Sequence, residues 1–324
     1  HLFYNPDFIA HFSSRGPVSP FYMKPDMVAP GAYINTTQIG SSYNFTSGTS
    51  FAAPHVSGAA ALWLEKNPEL ENHELKSLLV TTTQPVSNAY GNEFSIHESG
   101  SGRLDIASAY NAKLIINPTN FVINFSSDNK VIEKELKLKV IQNELGKIDV
   151  NFEGPEFIEF KHEINGNNLQ VKFIIVGEKY GKYEGKIYIN HEKIRYTIPI
   201  IIHFTEGSIS TYQENEKLFF EINHPDEWSF TKISITNSKN GNSETVTTTS
   251  EKTPSIEIYE NAEYWIEAKI MTNGSTTDAF DMVKVSSVSE KAEVLELRNI
   301  PEKQIIIIIS IIIIIGIIGL LIRK

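Results

Sequence analysis

The sequence predicts a multidomain chain: a helix-bearing first third, two antiparallel β-sandwich modules, and one apolar segment able to cross a bilayer. Three observations predict it. A run of small and apolar residues follows Ser50, a period-two alternation fills the stretch between Asn111 and Pro301, and Ile305–Ile322 is apolar except for Ser310, Gly316 and Gly319. The 324 residues are 41% apolar, enough for two or three globular domains. A net charge of −10 without a basic stripe argues against nucleic acid as a partner. With no cysteine, disulfides, thiol catalysis and thiolate zinc sites are excluded. The expected boundaries are 1–112, 113–205, 206–297, a linker at 298–304, a membrane segment at 305–322 and a cytoplasmic end at 323–324.

The first third centres on Gly48-Thr49-Ser50-Phe51-Ala52-Ala53-Pro54-His55-Val56-Ser57-Gly58. Phe51, Ala52, Ala53, Val56, Ala59–Leu62 and Leu64 leave almost no polar face, so a helix from Ser50 to Lys66, buried all round, is expected. Pro68 ends it, and Pro54 falls within roughly its first turn, where a missing N–H costs little. A serine at the start of a buried helix sits among unpaired backbone N–H groups and the positive end of the dipole, a setting that favours a developing oxyanion. Gly48 and Thr49 shape the turn that presents the hydroxyl. A shorter helix is expected around Glu74–Leu79. The alternative nucleophile elbow G-x-S-x-G fails, because position 52 is alanine.

Two upstream segments accompany this motif in order: Phe12-Ser13-Ser14-Arg15-Gly16-Pro17 and Lys24-Pro25-Asp26-Met27-Val28-Ala29-Pro30-Gly31. Together the three strings resemble the serine-motif region of the subtilisin-like serine proteases, the subtilases (peptidase S8). Gly100-Ser101-Gly102-Arg103-Leu104-Asp105-Ile106-Ala107 extends the resemblance towards residue 112. It implies the C-terminal portion of an α/β subtilisin-like domain, with Ser50 as nucleophile and backbone oxyanion donor. Calcium is open by the resemblance only; no cofactor is otherwise identified.

A serine hydroxyl needs an imidazole to take its proton and a carboxylate to orient that imidazole. The family's D-[ST]-G, H-G-T-x-V-A and oxyanion-Asn segments do not occur in the 324 residues. His55 lies about 500° round the helix from Ser50, pointing away from it. His1 and His11 lack the glycine and threonine neighbours of the family's catalytic histidine. Asp26 is read as a solvated or capping carboxylate. The expectation is a piece of a longer protease, inactive by itself, acting as a whole on protein or peptide substrate; the missing strands of its parallel sheet should leave the helix from Ser50 to Lys66 with one uncovered apolar face.

From Asn111 the pattern changes. Leu136/Leu138/Val140, Leu169/Val171/Phe173/Ile175 and Tyr196/Ile198/Ile200/Ile202 predict half-buried antiparallel strands, with a turn at Asn165–Asn168 and a turn into a strand at Gly181–Ile189. Leu218/Phe220/Ile222, Ile233/Ile235, Ile256/Ile258 and Tyr264/Ile266/Ala268/Ile270 predict a second module, with Asn240-Gly241 and Asn273-Gly274 as hairpin turns. It resembles fibronectin-type or immunoglobulin-like modules, which in subtilases follow the catalytic domain as spacers or binding surfaces.

At about 1.5 Å per residue, Ile305–Ile322 reaches roughly 27 Å and just spans a bilayer. Arg323 and Lys324 follow it and only Lys303 stands close before it, so the positive-inside rule puts the C-terminus in the cytoplasm and the rest outside. A lipid-anchor tail is the runner-up; such tails usually end apolar. N-x-[ST] sequons at Asn35, Asn44, Asn124 and Asn273 accord with outward placement and are candidate glycosylation sites. The leading expectation is a membrane-anchored extracellular serine endopeptidase. Its competitor is a non-catalytic cell-surface protein in which the β modules bind a partner.

Overall fold

The computed structural model describes residues 8–141 and 145–286. The antiparallel hairpin β1 (Ile34–Gln38) and β2 (Ser42–Thr46) leads into helix α1 (Thr49–Lys66), which Gly48 precedes as N-cap. The first third then continues through α2 (Asn72–Val80), α3 (Ile96–Ser99) and α4 (Ile106–Asn111). The start of α1 one residue before Ser50 moves Pro54 to the sixth helical position, beyond the first turn. There its ring nitrogen has no proton for the carbonyl four residues back, that of Ser50.

The expectation that α1 is buried all round is not met. Only Ala59 and Trp63 are buried, while Leu62 and Leu64 stay 42% and 41% exposed. α2 and α4 pack against the buried side of the helix, and its exposed side accords with the apolar face expected to be left uncovered. Trp63 is the anchor on the covered side: its Nε1 donates to the Ala109 carbonyl at 2.8 Å.

Two four-stranded sheets follow. One is ordered β3 (Leu114–Asn117), β5 (Val131–Val140), β8 (Asn168–Ile175), β7 (Ile158–Asn165); the other is β4 (Phe121–Ser126), β10 (Ile194–Thr205), β9 (Gly181–His191), β6 (Ile148–Glu153). They face each other over a core that includes Phe125, Leu136, Phe173, Ile198 and Phe204. Gly166, at φ +61°, turns the tight hairpin in which Asn165 pairs Asn168. Two details depart from the expected half-buried antiparallel strands. β4 runs parallel to β10, and β10 is buried on both faces, Thr197, Ile201 and His203 included. The outer face of β10 is covered by the first third: the Thr197 N–H donates to the Thr81 carbonyl, and Ile201 and Val122 pack with Met23 and Ile96.

A second pair of sheets is built from β11 (Ser208–Glu214), β12 (Lys217–Asn223) and β15 (Ser255–Glu257), against β14 (Ser243–Thr248), β13 (Trp228–Asn237), β16 (Glu263–Thr272) and β17 (Thr276–Lys284). Their core includes Leu218, Phe220, Ile233, Ile266 and Ile270. No helix among the described residues is long and apolar enough to cross a membrane, and residues 305–322 lie outside the described residues.

Candidate active site

Ser50 is exposed in the first turn of α1. No side chain caps this helix start; the Phe51 N–H bonds back to the Gly48 carbonyl at 3.0 Å. The helix start is held by the Lys24–Gly31 segment, since the Gly48 N–H donates to the Gly31 carbonyl at 2.8 Å. The approach is close enough to require glycine there. A Cβ at position 31 would stand 2.9 Å from the Gly48 carbonyl oxygen and 3.2 Å from the Ala52 Cβ.

The same segment is tied down along its length. Asp26 is not the solvated carboxylate that its turn position suggests: it pairs with Lys24, and with Lys76 of α2 at 2.6 Å. Burial opposes its ionisation, but hydrogen bonds and attraction from the two lysines outweigh that and hold its pKa below the usual value. The Asp26 carbonyl accepts from the Ser101 N–H and hydroxyl, both at 3.0 Å. Val28 and Gly102, then Leu104 and Val28, exchange backbone hydrogen bonds at 2.9 and 2.8 Å. Asp105 caps α4 through the Ser108 N–H at 3.0 Å.

These ties bring the three separate motifs to one place. A pocket of about 380 Å³ is lined by Phe12, Ser13 and Ser14, by Pro25 and Met27–Ala32, and by Thr49, Ala52, Ala53 and Val56 of α1, with Phe8–Ala10, Val86 and Arg103 completing it. Its wall includes Thr49, the residue before Ser50; Ser50 itself does not line it. Chemically, the arrangement offers an exposed hydroxyl, first-turn N–H groups free of side-chain caps, and a mostly apolar recess beside them.

Among the described residues, no hydrogen bond joins His55 or His11 to Ser50. His55 Nδ1 bonds the Phe51 carbonyl at 2.8 Å, His11 lies exposed beside Phe12, and His1 is outside the described residues. No cluster of three or more His, Asp or Glu among the described residues is placed to hold a metal ion. The sequons divide. Asn35 and Asn44 are exposed on β1 and β2 and Asn273 in the turn after β16, whereas Asn124 is half-buried on β4 with its Oδ1 3.0 Å from His203 Nδ1. The sequence signals the β1–β2 hairpin only through the Tyr43/Phe45 alternation and Gly40 in the turn. Trp265 was passed over, because it falls out of phase with its core-facing neighbours.

Ser50 thus opens a helix beside a pocket that three separate segments line, and the first third of the chain resembles the subtilase family. Residues 4–102 match the sequence model of that family, peptidase S8. Among relatives, the chain is similar to subtilisin-like protease SBT1.6 of Arabidopsis thaliana, 37% identical over 35% of this chain and 18% of that protein. It is also similar to the minor extracellular protease Vpr of Bacillus subtilis (strain 168), 26% identical over 58% of this chain and 24% of that protein. The chain thus spans about a fifth of the length of the curated relatives it matches. Among solved structures, a two-domain fibronectin type-III segment of chicken tenascin aligns at 13% identity and a TM-score of 0.22, covering 49% of this chain and 95% of that one.

Proposed function

We propose that the chain carries the nucleophile-bearing part of a subtilase-type serine endopeptidase, with Ser50 attacking the scissile carbonyl of a protein or peptide substrate. One observation carries this reading: all three motif segments converge on a single pocket lined by Thr49, the residue before Ser50 in the first turn of α1. The Ser50 N–H serves as one oxyanion donor. The aspartate, histidine and second oxyanion donor belong to a part of the protease outside these 324 residues, so this chain alone is inactive. In this reading Ile305–Ile322 anchors the protein, the modules before it stand outside the cell, and the exposed Asn35, Asn44 and Asn273 carry glycans.

The test is a fluorophosphonate probe. The parent protein, extended upstream through its D-[ST]-G and H-G-T segments, is labelled, and Ser50→Ala abolishes labelling. The 324-residue chain remains unlabelled. Labelling that survives Ser50→Ala would overturn the nucleophile assignment, and strong labelling of the 324-residue chain would overturn the absence of a base. The tie of His55 to the Phe51 carbonyl favours, for this chain by itself, a second reading as a non-catalytic cell-surface protein. An upstream reading frame lacking those two segments would select it.

A further inference from the structure

We propose that the second β module is a brace docked on the nucleophile-bearing unit, and that Trp265 is a positioning residue for the Gly16–Gly31 strap that lines the pocket beside Ser50. The consequence for the pocket rests on the protease reading above; the docking does not.

Along β16, Tyr264, Ile266, Ala268 and Ile270 face the module's own core, so Trp265, Glu267 and Lys269 face the other way. Register places Met282 opposite Trp265, Phe280 opposite Glu267 and Asp278 opposite Lys269. The outer face of a free-standing antiparallel sheet is polar. This one is polar at one end, where Lys269 Nζ bonds Asp278 at 2.9 Å, and aromatic at the other. The aromatic end is the covered one. Phe21 and Tyr22 stack on Trp265 with ring centroids 6.0 and 5.9 Å away and planes 22° and 25° apart. Phe21 also meets Phe280 edge-on at 5.8 Å, and the His203 ring of β10 lies 4.6 Å from Phe280. Phe21 and Phe280 are thereby reduced to 8% and 7% exposure. A module used only as a spacer has no reason to carry two aromatic rings on its solvent face and to spend them on these neighbours.

Phe21 and Tyr22 lie within the strap, whose Gly16 end is held by the Gly16 N–H donating to the His97 carbonyl at 2.8 Å. The strap's middle is fixed by Asp26 to Lys76 and by Val28 to Gly102, and its far end by the Gly31 carbonyl to the Gly48 N–H at the start of the Ser50 helix. Between Gly16 and Asp26 the strap is held by Met23, packed with Ile96, Val122 and Ile201, and by the second module at Phe21 and Tyr22. Removing the module's hold loosens the part of the strap that enters the pocket wall at Pro25.

The experiment is hydrogen exchange read by mass spectrometry on the 324-residue chain. Trp265→Ala speeds exchange across Pro17–Asp26 on the order of tenfold, with a smaller rise at Ala29–Gly31 and Gly48. Trp265→Phe retains most of the protection, and Tyr259→Ala, which removes an exposed ring from the same module, changes nothing there. Unchanged exchange at Pro17–Asp26 in Trp265→Ala would overturn the docking. A response confined to residues before Pro25 would overturn the positioning role. Should Trp265→Ala unfold the module, a double-mutant cycle decides: non-additive denaturation free energies for Phe21→Ala and Trp265→Ala support docking, and additive ones refute it. None of these readouts depends on Ser50 reacting, and the fluorophosphonate test does not depend on Trp265.

Discussion

His203 on β10 is only 3% exposed, with its Nδ1 donating to Asn124 Oδ1 and its ring against Phe280. Burial pushes its pKa down to about 4, and Lys182 and His97 push the same way against Asp278. In the unfolded chain the ring takes a proton below about pH 6.5, whereas in the folded protein it does so only near 4. Its contribution to stability is therefore full above pH 6.5 and lost as pH falls from there towards 4. Asp26, Glu74, Asp105 and Asp128, whose pKa values are lowered, lose theirs at more acid pH, and Asp281, raised by burial, acts with the opposite sign. Urea denaturation at pH 7 and 4.5 should show a loss on the order of 2 kcal/mol that His203→Gln largely removes. The same residue shows a limit of motif reading. Asn124-Phe125-Ser126 has the form of a sequon, and which side of β4 Asn124 occupies, and what meets it there, depends on a strand 79 residues away.

Helix α1 was legible as a helix because its composition and Pro68 define it. Which of its sides is covered was not. An apolar surface reports what a helix can cover, and the covering element is a property of the assembled chain. Here Trp63 and Ala59 face α2 and α4, while Leu62 and Leu64 face outward. Replacing those two leucines, Leu62→Lys with Leu64→Lys, should leave the melting temperature nearly unchanged, since surface substitutions usually stay within about 0.5 kcal/mol. It should also reduce self-association, measured by sedimentation velocity over a range of concentrations. A large fall in melting temperature would mean that the outer face is already packed.

At the scale of the molecule, one core runs from Ala59 and Trp63 through Leu78 and Leu79 into both sheets of the first β module, whereas the second module has its own. The join is also polar: the Ser77 hydroxyl donates to the Ile116 carbonyl at 2.9 Å and accepts from the Ile116 N–H at 2.8 Å. Calorimetry should accordingly show the helical unit and first module melting in one transition and the second module in another, which Trp265→Ala separates further. A distinct transition for the helices would contradict the shared core. The sequence by itself determined the local elements: the serine at a helix start, and strands whose core-facing residues alternate. That follows because backbone period and turn chemistry are set by near neighbours in the chain. Only the tertiary structure decided what meets the other faces, burying both sides of β10 and placing Trp265 against Phe21. Which surface covers which is settled by residues far apart in sequence, and the alternation of a single strand carries no record of them.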